Sequence, residues 1–187
     1  MGEAGEFRVM ITGLGGQGAL LFGQLLAEAG TSRYKYVSYF PHYATIMRGG
    51  ESECTVTLSD EEIDSPAVLR PEAAIVMASP RLKQFEERVQ PGGMLMVDSS
   101  VVKDKVGRED VRVFSVPATQ IAHDLGEGRV ANLVLLGAYL EITRAVPLEL
   151  VEEVLERKLK GGKGEALLPL NKRALREGAR AIAACRE

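Results

Sequence analysis

The sequence of 187 residues has only two cysteines, Cys54 and Cys185, which lie far apart. An iron–sulfur cluster needs several thiolates, and a structural zinc ion needs four nitrogen or sulfur ligands. We therefore expect the chain alone to bind no cluster and no metal ion. Two free thiols without a disulfide framework are typical of a reducing compartment, so we expect a cytoplasmic protein.

The sequence also lacks tryptophan, a surplus of basic residues and a long apolar run. Its 23 Lys and Arg residues face 26 Asp and Glu residues, which gives a formal net charge of −3. Nucleic-acid binding draws much of its energy from phosphate neutralisation, so we expect no nucleic-acid partner. The most apolar stretch, Leu133 to Leu140, is too short to span a bilayer. The acidic N-terminus has no cationic start of a targeting segment, so we expect no membrane association.

Short β-rich segments alternate with helical ones, which is the pattern of a mostly parallel sheet with helices on both faces. We predict one domain over residues 1–187, a doubly wound, Rossmann-like α/β sandwich of three layers with a helical C-terminal part from about residue 132. The predicted strands are Phe7 to Thr12, Tyr36 to Tyr39, Cys54 to Leu58, Ala73 to Ala78, Met94 to Val97 and Val111 to Val116. The predicted helices are Gly18 to Ala29, Asn132 to Arg144 with Asn132 as N-cap, Leu148 to Lys160, and Asn171 to Ala184.

A glycine turn, Gly13-Leu14-Gly15-Gly16-Gln17-Gly18, joins the first predicted strand to the first helix. In this spacing Gly13 permits a tight turn, Gly15 lets a ligand approach the backbone, and Gly18 lets helix and strand pack closely. The helix N-terminus directs unpaired N–H groups at an anion such as a phosphate. A dinucleotide site also needs an acidic residue at the end of the second strand, which here reads Val37-Ser38-Tyr39. This absence disfavours NAD and FAD and leaves an anion site or a purely structural turn.

A second segment, Phe40 to Gly50, ends in Arg48-Gly49-Gly50. Arg48 offers a forked cation beside an open backbone, which suits a phosphate or a carboxylate. By composition alone, Arg48 can equally pair with Glu51 or Glu53 at a turn.

The motifs occur in an order that resembles the gamma subunit of 2-oxoacid:ferredoxin oxidoreductases, enzymes of anaerobic metabolism. The glycine turn, Arg48-Gly49-Gly50 and the segment Asp60 to Pro66 carry the resemblance. Later matches are Pro91-Gly92-Gly93, Val97 to Ser100, Val116 to Thr119, and Arg129 to Asn132 followed by Leu136-Gly137. The likeness extends from about Phe7 to the last helix, so all of residues 1–187 are interpreted as one gamma-type domain. It is strongest to the 2-oxoglutarate type, with the pyruvate type as a relative.

The resemblance implies a division of labour between subunits. The assembled enzyme decarboxylates a 2-oxoacid with thiamine diphosphate and magnesium, passes electrons through iron–sulfur clusters to ferredoxin, and transfers the acyl group to coenzyme A. These cofactors belong to partner subunits of alpha, beta and delta type, and the gamma chain is expected to be inactive alone, with no catalytic residue of its own. It is expected to pack on the thiamine diphosphate core and to share the coenzyme A site. The expected coenzyme A contacts are Gly13, Gly15, Gly16, Gln17, Gly18, Arg48, Gly49 and Gly50.

Several side chains near these motifs have two open interpretations. Gln17 can bond a ligand or cap the turn, and Ser99 and Ser100 can touch a ligand or cap the next segment, with capping favoured. His42 and His123 are lone histidines, for which a solvated or structural role is more common.

Two further alternatives concern surfaces and the whole chain. The basic stripe of the last helix, at Lys172, Arg173, Arg176 and Arg180, is a solvated face or a docking site for an acidic partner. The alternative function is a free-standing nucleotide-binding or regulatory domain. A subunit made for a large assembly exposes apolar surface, so the chain expressed alone is expected to form a homodimer or a larger species.

Overall fold

The structure is a computed structural model that describes residues 6–43, 50–162 and 164–183, with only the backbone at residue 43. Arg48, Gly49 and Cys185 therefore lie outside the described residues. The strands are β1 (Phe7–Leu14), β2 (Tyr36–Tyr43), β3 (Glu51–Ser59), β4 (Ala73–Val76), β5 (Met94–Asp98) and β6 (Arg112–Val116). The α-helices are α1 (Ala19–Gly30), α2 (Leu82–Arg88), α3 (Ala118–Asp124), α4 (Ala131–Thr143), α5 (Leu148–Leu159) and α6 (Leu168–Ala183). Short 3₁₀ turns cover Ser79–Arg81, Gly128–Val130 and Glu165–Leu167.

The described strands form one sheet in the order β2-β3-β1-β4-β5-β6. The pairs β1–β4, β4–β5 and β5–β6 are parallel, which confirms the predicted mostly parallel α/β fold. One strand differs, because β3 is antiparallel to both β1 and β2. A parallel crossover needs a connection of about a dozen residues or more, and residues 44–50 between β2 and β3 are too few for one. The short connection therefore forces a hairpin.

The two sheet faces are covered unequally. Alternation along β1 directs Val9 and Ile11 into a large apolar cluster under α1, α4, α5 and α6, which we call the α1 face. Met10 points to the opposite α2 face, where a smaller cluster gathers around Phe85 of α2. Helices therefore lie on both faces, as predicted, but most of the core is on the α1 face.

Helices α4 and α6 pack backbone against backbone through two glycines. A Cβ atom at Gly137 would overlap the carbonyl oxygen of Leu175, and one at Gly178 would overlap the carbonyl oxygen of Val134. The close approach explains why α4 is apolar on nearly every side, with all residues from Ala131 to Leu140 buried. No helix in the described ranges is both long and apolar enough to cross a bilayer.

The basic stripe of α6 pairs mostly with acids of its own chain. Arg176 forms two bonds to the buried Glu152, at 2.7 Å from Nε and 2.8 Å from Nη2. Lys172 pairs with Glu152 and Glu156, which both lie on α5. The stripe is therefore used largely to hold α6 against α5.

Substituting Gly178→Ala should destabilise the chain, because the added methyl group has no space beside the α4 backbone. We expect a loss of about 3 kcal/mol in the free energy of unfolding, measured with a chemical denaturant. Gly162→Ala is the matched control, because a Cβ atom there makes only an ordinary contact, 3.5 Å from the carbonyl oxygen of Leu159. Equal stability of the two variants would contradict the packing described for α4 and α6.

Candidate functional site

The glycine turn lies at the carboxyl ends of the parallel strands. It begins with the last two residues of β1. From there the chain continues through α1 to β2 on one side of the sheet, while the neighbouring β4 leads to β5 on the other side. The crevice between β1 and β4 is thus a topological switch point, the place where open α/β sheets bind ligands.

The outer part of the turn is open. Gly15 and Gly16 are exposed, and Gly16 has a φ of +94°, a left-handed conformation that favours glycine. A Cβ atom on Gly16 would meet nothing within 4 Å. This position requires glycine because of its backbone conformation, and its backbone is accessible to a ligand.

The inner part of the turn is filled by Gln17. Its Oε1 accepts a hydrogen bond from the Leu14 N–H at 2.6 Å, and its Nε2 donates to the Met77 carbonyl oxygen at 2.9 Å. A Cβ atom on Gly13 would lie 2.8 Å from Oε1 of Gln17, so Gly13 makes room for this amide. The Gln17 amide thus caps the turn and ties it to the residue after β4.

The position of Asn132 differs from the prediction, which made it the N-cap of α4. The helix begins one residue earlier, after a 3₁₀ turn, with Val130 as its N-cap, so the predicted capping role is wrong. Asn132 is 2% exposed, and its Nδ2 donates to the Gly18 carbonyl oxygen at 3.2 Å. A Cβ atom on Gly18 would lie 2.5 Å from that Nδ2. Asn132 of α4 therefore holds the glycine turn, a role that was not predicted from the sequence. The sequence feature that could have indicated this contact is one amide side chain within the apolar run from Ala131 to Leu140.

The N-terminus of α1 has no side-chain cap. Gly18 is its N-cap residue, and no acidic residue lies in the first turn of this 12-residue helix. Its first N–H groups and the helix dipole therefore remain available to an anion among the described residues.

The end of the Arg48-Gly49-Gly50 motif reaches the turn. The Gly15 N–H donates to the Gly50 carbonyl oxygen at 2.7 Å, so this particular N–H is already used. The structure thus brings together Gly13, Gly15, Gly16, Gln17, Gly18 and Gly50, six of the eight predicted site residues. Arg48 and Gly49 are the two that lie outside the described ranges.

The serines after β5 lie at a neighbouring strand end. Ser100 Oγ accepts a hydrogen bond from the Gln120 N–H at 3.0 Å, in the first turn of α3, and not from the segment that follows it in the chain. The buried Asp98, at the end of β5, accepts a hydrogen bond from the Thr119 hydroxyl at 2.5 Å. This strand end is therefore closed by the protein's own groups.

Neither histidine lies in the glycine turn. His42 is on the edge strand β2, with its ring edge-on to Phe40 and its Nδ1 3.9 Å from Oε1 of Glu53. His123 is in the last turn of α3, and its ring occupies the space in front of Gly128. No group of three metal-ligating side chains occurs in the described part of the chain.

Cys54 is a core residue behind the turn. Its thiol donates a hydrogen bond to the Ala19 carbonyl oxygen at 3.4 Å, and Sγ would lie 2.5 Å from a Cβ atom on Gly23. Burial raises the pKa of this thiol from 9.0 to about 12. The side chain is therefore a neutral thiol at physiological pH and is no nucleophile.

The family model for pyruvate ferredoxin/flavodoxin oxidoreductase matches residues 8–181, nearly the whole chain. The chain belongs to this family. It is also similar to the crystal structure of the gamma subunit of a keto/oxoacid ferredoxin oxidoreductase from Geobacter sulfurreducens, with 28% identity and a TM-score of 0.83. That match covers 97% of this chain and 98% of the other. The resemblance to gamma subunits is confirmed.

The curated relatives of this family member have different lengths. Ketoisovalerate oxidoreductase subunit VorA of Methanothermobacter thermautotrophicus is 37% identical over 95% of this chain, but the match is only 36% of VorA. The 2-oxoglutarate synthase subunit KorC of Methanocaldococcus jannaschii is 32% identical, over 88% of this chain and 90% of KorC. The chain thus spans about a third of the first relative and nearly all of the second.

Substituting Gln17→Ala should destabilise the chain by about 2 kcal/mol, because the Leu14 N–H and the Met77 carbonyl oxygen each lose a partner. Denaturant unfolding measures this change. Gln120→Ala is the control, since its Nε2 bonds Asp124 at 2.8 Å on the exposed surface and its loss should cost at most about 0.5 kcal/mol. Similar stabilities of the two variants would contradict the bridging role of Gln17.

Cys54 should make the stability of the chain depend on pH above 9. Its folded-state pKa, about 12, is raised above the ordinary value of 9.0. The stabilising contribution is therefore fully present below pH 9.0 and is lost as the pH rises towards 12.

In a Cys185→Ser background, a thiol reagent at pH 8 should modify Cys54 only after unfolding. Rapid modification of the folded protein would show that the thiol is accessible.

Proposed function

We propose that this chain is the gamma subunit of a multi-subunit 2-oxoacid:ferredoxin oxidoreductase and that its glycine turn holds the phosphates of coenzyme A. The main support for this proposal is the open backbone of Gly15 and Gly16 at the uncapped N-terminus of α1, in a chain of this family. Such a terminus supplies N–H donors and a partial positive charge to a phosphate. Arg48, two residues before Gly50 in the sequence, supplies the full positive charge.

The position of β3 favours coenzyme A over a dinucleotide. In a dinucleotide site the acid that binds the ribose follows the strand next to β1. Here β3 lies between β1 and β2, so the end of β2 is two strand spacings, about 10 Å, from the glycine strand. The carboxyl end of β2 also has no acidic residue, since its last described side chain is His42. The end of β2 therefore offers no acceptor for the adenosine ribose of NAD, and Glu51 of the adjacent β3 is paired with Arg81.

The chemistry of the whole enzyme belongs to its partner subunits in this proposal. Thiamine diphosphate with magnesium supplies the decarboxylation of the 2-oxoacid, and iron–sulfur clusters carry the electrons to ferredoxin. The gamma chain packs on the thiamine diphosphate core and orients coenzyme A so that its thiol reaches the partner's active site. We propose 2-oxoglutarate as the 2-oxoacid. The names of the related proteins include ketoisovalerate, 2-oxoglutarate and pyruvate, and the pocket for the 2-oxoacid is expected in another subunit.

Partner chains separate this proposal from a free-standing nucleotide-binding or regulatory domain. A gamma subunit purified from its source should elute in size exclusion together with subunits of alpha, beta and delta type. A free-standing domain should elute without them and should bind a nucleotide by itself. Expressed alone, the gamma chain is expected to self-associate and to show no oxidoreductase activity.

Substituting Arg48→Ala in the reconstituted enzyme should raise the KM for coenzyme A about tenfold or more. The loss of one charge-assisted contact to a phosphate costs about 1.5–3 kcal/mol. Steady-state kinetics with varied coenzyme A measure the change, and the KM for the 2-oxoacid should stay as in the wild type.

The control for this variant is Arg180→Ala. Arg180 is exposed on α6 and pairs with Glu177 at 2.7 Å, within one helix and away from the turn. An unchanged KM for coenzyme A in an assembled Arg48→Ala enzyme would show that Arg48 is a structural turn residue and would overturn the assignment of the site.

A further inference from the structure

Arg81 forms the centre of a partly buried ionic cluster beside the glycine turn. It lies after β4 and is 5% exposed. Its Nε donates to the Thr12 hydroxyl at 3.1 Å, its Nη2 bonds Oε2 of Glu53 at 3.2 Å, and its Nη1 pairs with Glu51. The Phe85 ring lies 5.0 Å from the guanidinium carbon. Each guanidinium nitrogen therefore has its own partner, and these partners lie on β1 and β3.

Arg88 completes the cluster from α2. Its Nη1 bonds the second carboxylate oxygen of Glu53, Oε1, at 3.0 Å, and its guanidinium also contacts Phe85, at 5.1 Å. Both oxygens of Glu53 are thereby occupied by arginines. Two arginines balance Glu51 and Glu53, so the cluster is close to neutral without any ligand.

The strand register connects this cluster to the turn. Thr12 lies opposite Glu53 in the β1–β3 ladder, and Leu14 lies opposite Glu51. The next contact along the chain is the hydrogen bond from the Gly15 N–H to the Gly50 carbonyl oxygen, at 2.7 Å. Arg81 thus holds the last residue pairs of the ladder before the exposed glycines.

We propose that Arg81 is a positioning residue for coenzyme A binding, because it holds the start of β3 against β1 and so fixes the backbone of the glycine turn. This inference rests on the proposed function. A backbone anion site must be held within about 0.5 Å of its binding geometry. The forked guanidinium bonds three acceptors in fixed directions, which a lysine ammonium cannot do at the same positions.

Stability alone is a weaker account of the cluster. Burying several charges has a desolvation cost, and replacing a buried ion pair by apolar residues is often neutral or stabilising. What the fork of Arg81 adds is a defined register between β1, β3 and the turn after β4, the elements that border the switch point. If Arg81 has a positioning role, its loss should raise the KM for coenzyme A more than the loss of another carboxylate-paired arginine does.

The test compares Arg81→Met and Arg81→Lys with Arg176→Met in the assembled enzyme. Arg176 is the control, because it makes two short bonds to the buried carboxylate of Glu152, between α5 and α6 and away from the turn. Both Arg81 variants should raise the KM for coenzyme A about tenfold, with the KM for the 2-oxoacid unchanged. The retained charge of Arg81→Lys should not restore binding. Arg176→Met should leave both KM values as in the wild type.

A second measurement follows the position of the turn without coenzyme A. Hydrogen exchange of the Gly15 amide in the full chain should be about tenfold faster in Arg81→Met and unchanged in Arg176→Met. If Arg81→Met does not fold, Glu51→Ala replaces it, since it removes one partner of Arg81 and leaves Glu53 in place. The expected increases are then about threefold in both measurements.

The possible outcomes separate this inference from the proposed function. Equal KM increases in the Arg81 and Arg176 variants would mean general destabilisation and would overturn the positioning role. An increase in Arg48→Ala alone, with unchanged Gly15 exchange in Arg81→Met, would overturn the positioning role and leave the proposed function standing. A third outcome is faster Gly15 exchange in Arg81→Met, with the KM for coenzyme A unchanged in both Arg81→Met and Arg48→Ala. This result would overturn the proposed function and with it the role of Arg81 in binding.

Discussion

The antiparallel pairing of β3 with β1 determines the geometry around the glycine turn. Because β3 enters the sheet between β1 and β2, the Gly50 carbonyl oxygen meets the Gly15 N–H, and Glu51 and Glu53 reach Arg81. The same insertion moves the end of β2 away from the turn. The sheet therefore keeps the strand–turn–helix unit at the switch point, while β2 lies one strand further from it than in a dinucleotide fold.

The glycines of the turn serve different physical needs. Gly13 and Gly18 lack side chains because Gln17 and Asn132 occupy that space. Gly16 meets no such neighbour and is required for its left-handed backbone conformation. The turn is consequently rigid on its inner side, where two amides hold it, and open on its outer side, where a phosphate can approach.

Charged groups are distributed in keeping with this division. The two arginines of the Arg81 cluster pair with acids of β3, and Arg176 and Arg180 of α6 pair with acids of α5 and α6. The N-terminus of α1 has no acidic side chain of its own in its first turn. Within the described ranges, no side chain compensates the partial charge of this helix beside the open glycines, where an anionic ligand can supply the balance.

The sequence by itself determined the strands, most helices and the family, because apolar periodicity and the order of short motifs are local properties of the chain. It also predicted the glycine turn and six of the residues that the structure brings together there. Only the tertiary structure decided that β3 pairs with β1, that Asn132 bonds Gly18 instead of capping α4, and that Arg81 joins β1 to β3. These contacts join residues distant in the chain, such as Gly18 and Asn132, and depend on which strands become neighbours. Local pattern carries no information about that choice, whereas packing and hydrogen bonding across the sheet settle it.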